Sequence, residues 1–280
     1  MSPVWVLLLL LGAGPQPAKK IEISADRLQV LGHENKSIYR ENAHVLSEDM
    51  ELRCDELSVF YTRQRTVLRI EAHGQVQASN QHNRATGEQA VFHNETGLLE
   101  VVGNPEAQFL GGFIRGTRVL FDTRTQEALV ENPQTLLQNT QEGAHEGTTP
   151  EAKAKEGEVH IVAEQLKLER DSKTATWQRQ VQLRRGPLRM RSPSLRAFYD
   201  DKGQLQKAIA TGGVEVEDGL RWAKSQTAHL DNQRGLIVLT GNPEIKEGNH
   251  HLRGSRIRFV IGKHTLTVEN AKTLLEVSKP

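Results

Sequence analysis

Cysteine is nearly absent from this sequence: Cys54 is the only one among 280 residues. That excludes an internal disulfide framework and a cysteine-based metal site. Aromatic residues are scarce, at 5%, which speaks against the exposed rings expected of a sugar-binding module. Neither sign of charge is in excess, the formal net charge being +1. With no basic block and no aromatic-basic stripe, nucleic acid is not an expected partner. Apolar content of 36% is low for a closed compact core and suits strands with one buried face and one wet face.

Catalytic signatures are missing as well. There is no G-x-S-x-G, P-loop, dinucleotide fingerprint or H-E-x-x-H. The histidines are scattered and none has a metal-ligand spacing; in an extended segment His250 and His251 point to opposite faces. Acidic pairs such as Glu48-Asp49 and Asp200-Asp201 fall at turns, where aspartate bonds its own backbone. The expectation is a protein that is not an enzyme, with no metal and no cofactor.

The one long apolar run is Val4 to Leu11, followed by Gly12-Ala13-Gly14 and by Pro15 and Pro17. It is shorter than the roughly 20 residues that span a bilayer. It reads as the hydrophobic part of a secretory signal over residues 1–18, with a short N-terminal anchor as the alternative.

What is present is a repeat. Gly103-Asn104-Pro105-Glu106 recurs as Gly241-Asn242-Pro243-Glu244, a shift of 138 residues. The same shift lays Phe60-Tyr61 on Phe198-Tyr199, Gly74 on Gly212, and Arg115-Gly116 on Arg253-Gly254. It also lays Glu131-Asn132 on Glu269-Asn270, and Cys54 on Ser192, so Cys54 reads as a small strand residue. Roughly thirty identities follow without a gap, which marks a tandem duplication of one unit. The units are placed at 19–137 and 159–280. Residues 138–158 are polar, lack large apolar side chains, and read as a flexible linker.

Within each unit apolar and polar residues alternate. Ile21, Ile23 and Ala25 interleave with Glu22, Ser24 and Asp26, and Val159, Ile161 and Ala163 repeat the pattern. Period two with breaks every 8 to 12 residues or so predicts many short antiparallel strands. The breaks include Gly74, Gly103-Asn104-Pro105 and Asn94 to Gly97, and no stretch has a capped helical period. Gly116 and Gly254 sit inside strand pattern and mark a bend or a close backbone approach. The second unit carries Arg179, Arg184, Arg185, Arg189, Arg191 and Arg196 close together. Two readings stand for them: a solvated sheet face, or contact with an anionic ligand or head group.

Taken together these segments resemble the OstA-like (LptA-like) family of lipopolysaccharide-transport proteins. The resemblance rests on Ile21 to Leu28, Glu41 to Val45, Leu52 to Leu57, Ala72 to Val76, Gly103-Asn104-Pro105 and Ile114 to Val119. In the second copy it rests on Ile161 to Leu166, Ala210 to Val214, Leu239 to Pro243 and Leu252 to Ile257. The resemblance implies an all-β fold of two tandem open, V-shaped antiparallel β-jellyroll units. It implies a periplasmic bridge that holds acyl chains of lipopolysaccharide during passage from inner to outer membrane. It also implies partners of the same fold joined by edge-strand addition, and head-to-tail self-association. The chain departs from the family's single-unit bridge in carrying two units, so an inner-membrane-anchored component or a fusion of two components are alternatives.

The expected lipid-facing set in the first unit is Ile21, Ile23, Ala25, Val45, Leu52, Leu57, Val59, Val76, Phe92, Val101, Val119 and Phe121. In the second it is Ile161, Ala163, Leu183, Met190, Leu195, Ala197, Val214, Leu230, Leu239, Ile257 and Phe259. Two competing classes are a structural or adhesive β-repeat without lipid and a carbohydrate-acting β-protein. The second would need paired acids on one face at matched strand positions, and the sequence shows none.

Overall fold

Alternating patterns that a tight turn could not hold together are tied by long strands. The computed structural model describes residues 22–47, 50–79, 84–109, 112–137, 158–219, 221–248, 250–260 and 265–274. The expected signal segment, Ile21 and nearly all of the expected linker lie outside them. The chain divides into two compact units. The first contains the residues up to Pro133 together with Lys167–Arg170, and the second contains Gln134–Leu166 and the residues from Asp171 onward.

The first unit comprises β1 (Glu22–Ser24), β2 (Arg27–Leu31), β3 (Lys36–Ser47), β4 (Met50–Tyr61), β5 (Val67–Ser79) and β6 (Arg84–His93). It continues with β7 (Leu98–Val102), β8 (Glu106–Phe109), β9 (Gly112–Arg115), β10 (Arg118–Asp122) and β11 (Glu127–Glu131). β12 (Gln134–Leu137) pairs with β13 (Val159–Val162) and belongs to the second unit. Next come β14 (Gln165–Glu169), β15 (Thr174–Arg185), β16 (Leu188–Tyr199), β17 (Leu205–Asp218) and β18 (Arg221–Asp231). The last are β19 (Leu236–Thr240), β20 (Glu244–Glu247), β21 (His250–Arg253), β22 (Arg256–Val260), β23 (Thr265–Glu269) and β24 (Lys272–Leu274). Among the described residues the pairings are antiparallel, and the long strands β3 to β6 and β15 to β18 each pair with the next in sequence.

The strands are longer than the sequence breaks predict. Met50–Cys54 and Leu57–Tyr61 look like two strands in sequence but are one twelve-residue strand, β4. Gly74 does not end a strand; it lies inside β5. Asn94 to Gly97 is a true turn between β6 and β7, but the break inside β4 and the one at Gly74 are β-bulges, and they line up. Register slips fall at Arg40/Ala43 in β3, Arg53/Glu56 in β4 and His73/Val76 in β5. The second unit repeats them 138 residues on, at Gln178/Val181, Arg191/Ser194 and Thr211/Val214. Two successive left-handed residues make several of them: Glu41 and Asn42 at φ 63° and 55°, Arg179 and Gln180 at 62° and 51°.

Gly103-Asn104 belongs to the same row. It has φ 80° and 52°, and Gly241-Asn242 has 78° and 55°. It reverses nothing: β7 before it and β8 after it pair with successive parts of the same neighbour, β6. A bulge bends its strand, and a row of them across neighbouring strands folds the whole sheet along one line. Each strand then contributes one half to each of two facing sheets. Side chains from both halves, such as Val45 and Leu52 from one and Val59, Phe92 and Phe121 from the other, join one buried cluster. This is an antiparallel β-jellyroll.

The repeated Arg-Gly is a close approach. A Cβ on Gly254 would sit 2.4 Å from Val268 Cγ1 and 2.6 Å from the Glu269 carbonyl oxygen, and Gly116 meets Val130 and Glu131 in the same way. Gly116→Ala and Gly254→Ala are each expected to destabilise by about 1–3 kcal/mol through overpacking against backbone. Thermal denaturation checks this; unchanged midpoints would show that the neighbouring strand yields freely.

Candidate functional site

The interior is where the alternation leads. In the first unit Ala43, Val45, Leu52, Cys54, Leu57, Val59, Ala72, Val76, Ala90, Phe92, Leu99, Val101 and Phe121 form a buried cluster, with Ile23, Ala25 and Val119 packed against it. Of the expected lipid-facing set, Val45, Leu52, Leu57, Val59, Val76, Phe92, Val101 and Phe121 are buried there. Ile23, Ala25 and Val119 are half-buried, and Ile21 lies outside the described residues. In the second unit Ile161, Leu195, Ala197, Val214, Leu239 and Ile257 are buried. Ala163, Leu183, Met190, Leu230 and Phe259 are half-buried.

One transverse row differs between the units. Val45, Leu52, Ala78, Ala85 and Ile114 are buried in the first. Their counterparts Leu183, Met190, Val216, Ala223 and Leu252 are only half-buried in the second. The second unit thus leaves larger aliphatic side chains less covered on its inner face.

Sequence reasoning missed Trp177, which is 1% exposed. Its Nε1 donates to Thr135 Oγ1 at 3.0 Å, and Thr135 is itself buried. Tryptophan satisfies a polar tip and fills an apolar site together. The signal available was the alternation of Ala175 and Trp177, hidden because Thr174 and Thr176 on the same strand are buried too. The interior alanines, Ala43 and Ala72 among them, were also missed, being too small to stand out in an apolar count.

The described edges are open. Among the described residues β1 and β2 pair only with β3, β23 only with β22, and β24 only with β21. Leu28 and Val30 on β2 are 56% and 61% exposed, and Leu274 on β24 is 62% exposed. The counterparts of Leu28 and Val30, Leu166 and Leu168, are buried.

Charge on the outer faces explains the remaining repeated letters. Glu106 accepts from Arg115 Nε at 2.6 Å across β8 and β9, and Glu244 accepts from Arg253 at 3.0 Å across β20 and β21. So the glutamate of Gly-Asn-Pro-Glu holds the arginine of Arg-Gly in both copies. Asn132 Nδ2 donates to Thr117 Oγ1 at 3.0 Å, and Asn270 donates to Ser255 Oγ at 2.9 Å, which accounts for the repeated Glu-Asn.

Glu244 is buried and also faces Lys224 at 3.4 Å and His251 at 3.5 Å. Its hydrogen bond from Arg253 holds its carboxyl below the ordinary value of 4.5, more than burial raises it. A depressed folded value stabilises the fold above the unfolded value and stops doing so as pH falls through the folded one. Acid unfolding below pH 4.5 is therefore expected to be less steep in Glu244→Gln than in the parent. Circular dichroism against pH measures this; identical slopes would mean the carboxyl is not held down.

Cys54 donates to the Glu56 carbonyl at 3.4 Å, and Ser192 makes the same bond to Ser194 at 3.1 Å. Burial pushes the Cys54 thiol up to about 12, so the thiolate that would react is scarce at neutral pH. Among the described residues no cluster of three or more His, Cys, Asp or Glu has the spacing of a metal site. No helix among them is long and apolar enough to cross a membrane.

Comparison with known proteins follows the repeat. A family model described as LptA/(LptD N-terminal domain) LPS transport protein matches residues 22–127 and again 160–264, more than half of the chain. Among solved structures, one that is similar is LptH, the LptA homologous periplasmic component of the conserved lipopolysaccharide transport device from Pseudomonas aeruginosa. It has 12% identity and a TM-score of 0.35, covering 47% of this chain and 91% of that one. No curated protein matches.

Proposed function

Because the chain belongs to the family of LptA and LptD N-terminal lipopolysaccharide-transport proteins, we propose that it is a periplasmic bridge that shelters acyl chains inside its jellyroll units. The observation that supports this most is the apolar interior, lined in each unit by one face of every bent strand. Burying an acyl chain there gains roughly 0.8 kcal/mol for each CH₂ removed from water. That attraction has no direction, so a chain can slide along the trough with little change in energy. The half-covered row Leu183, Met190 and Val216 favours the second unit as the one that takes a chain most readily.

The open edges supply the joining mechanism. An unpaired strand with exposed apolar side chains invites pairing with another chain, and strand addition uses this productively. Partners are then proteins of the same jellyroll fold, or further copies of this chain head to tail.

A photo-crosslinking residue at Ile23 or Ile161 is expected to capture lipopolysaccharide in cells, while one at the outward Glu22 is not. Capture only from Glu22, or from no position, would overturn the acyl-sheltering role.

A further inference from the structure

Unit two carries an outward-facing cavity of about 590 Å³ at the corner where β15 to β18 bend. Its floor is made by the buried Val181 and Val214 at the bulges, with Pro193 beside them. Its walls include Gln182, Arg191, Glu215, Lys224, Gln226 and Asn242. Lys224 is held by Glu244 at 3.4 Å. The side chains of Gln182, Arg191, Glu215, Gln226 and Asn242 make no hydrogen bond or ion pair among the described residues. Several unused donors and acceptors therefore converge on one concavity.

The first unit settles two of these positions internally: Arg53 and His44 both bond Glu51, and Gln77 accepts from Arg84. A third is settled in both units, Asn42 donating to Asp26 at 2.7 Å and the cavity-lining Gln180 to Glu164 at 2.6 Å. Two changes free the second unit: Glu51, which neutralises Arg53, is replaced by Arg189, and Arg84, which donates to Gln77, is replaced by Trp222.

Arg189 extends the charge. It stands directly opposite Arg184 across β15 and β16, on the same outward face as Arg191. All three are exposed and none forms an ion pair among the described residues. Glu217 and Glu215 are their cross-strand neighbours on β17 but do not reach them. Like charges directly opposite on a sheet are destabilising, so an unneutralised Arg–Arg pair suits an anion from outside. Of the remaining arginines singled out in sequence, Arg179 pairs with Glu164, Arg196 donates to Thr176, and Arg185 alternates onto the inner face beside Leu188.

We propose that this outer corner of unit two binds a phosphorylated saccharide. Arg191, with Arg189 and Arg184, takes the phosphate through planar guanidinium forks. The amides of Gln182, Gln226 and Asn242 take sugar hydroxyls, since an amide both donates and accepts. Trp222 lies on the same face, on β18 opposite Glu217, flanked by Lys224 and Lys246. That the saccharide is the carbohydrate part of lipopolysaccharide rests on the transport reading above. The chain would then hold one glycolipid's acyl part inside and saccharide, from the same or another molecule, outside.

The test uses the full chain and isothermal titration calorimetry. The probes are a fully deacylated lipopolysaccharide oligosaccharide with its phosphates intact, the same oligosaccharide dephosphorylated, and inorganic phosphate. The intact oligosaccharide is expected to bind, and dephosphorylation to weaken it at least tenfold. Arg189→Gln with Arg191→Gln is expected to weaken it at least tenfold, and Gln182→Ala with Gln226→Ala several-fold. Circular dichroism verifies folding; if the arginine variant misfolds, the glutamine variant decides. Absence of binding, binding insensitive to both variants, or inorganic phosphate binding as tightly as the oligosaccharide overturns the proposal. Crosslinking of acylated lipopolysaccharide from Ile161 is expected to persist in both variants. Loss of that crosslink with oligosaccharide binding intact would count against acyl sheltering, not against this site.

Discussion

Placing glutamate at both Leu28 and Val30 is expected to abolish association at the N-terminal edge while leaving the unit folded. Both side chains are more than half exposed, so the fold loses little. Among the described residues β2 has a hydrogen-bonded neighbour on one side only, β3. Leu166 and Leu168 show what the same positions do when covered: they are buried, at 0% and 8% exposure. Burying a Leu or Val side chain is worth roughly 1.5–3 kcal/mol, so losing two weakens association by about 10²–10⁴-fold at ordinary affinity arithmetic. Introduced carboxylates also carry a desolvation cost into any apolar contact. Sedimentation velocity across a concentration series, alone and with a partner jellyroll domain, reads the effect. Association as strong in the double variant as in the parent, or no association by the parent, would remove this edge as a docking strand.

Trp177→Ala is expected to destabilise the second unit by about 3–5 kcal/mol. Trp177 is among the largest fully buried side chains, and its loss opens a cavity beneath β15. It also leaves Thr135 Oγ1 without the indole donor. An unsatisfied buried polar group adds a cost of about 1–3 kcal/mol. Trp177→Phe separates the two effects, keeping most of the volume and losing the bond. Thr135 lies on β12, at the start of the second unit, so the bond ties that unit's opening strand to its interior. Denaturant titration should show the midpoint falling furthest for alanine and less for phenylalanine. Equal midpoints for all three would mean the site collapses around the vacancy.

The repeat and the β class could be read from the chain because both are local. A period of two needs only neighbours to be seen, and a shift of 138 needs only two copies of the sequence to be laid side by side. The alternating residues expected to line the interior are buried or half-buried wherever they are described, from Ile23 to Phe259. Whether they hold lipid is a matter for crosslinking. The strand count went astray at the same places for a physical reason. Gly74 and Gly103-Asn104 carry turn chemistry, and positive φ reads as a chain reversal in sequence. In the fold the same dihedrals build bulges, because the neighbouring strands run on past them and keep pairing. No single strand's sequence distinguishes the two outcomes; only the alignment of six slips across neighbouring strands does.

The arginines show the same division. Their density in unit two is visible in the chain, and so is their replacement in unit one by other residues at every matching position but Arg53. Which of them lack a partner is not, because Glu164 comes from the bend between β13 and β14, and Thr176 and Glu217 from other strands, whose register fixes reach or miss. By itself the sequence determined two copies of a half-buried antiparallel unit and one apolar face along each strand, since periodicity and duplication are carried by local spacing. Only the tertiary structure decided where the sheet bends, that Leu28 lies bare while Leu166 is covered, and that Arg191 is free while Arg53 is held. Those depend on pairing between residues far apart in the chain, where one side chain's partner is set by the register of another strand.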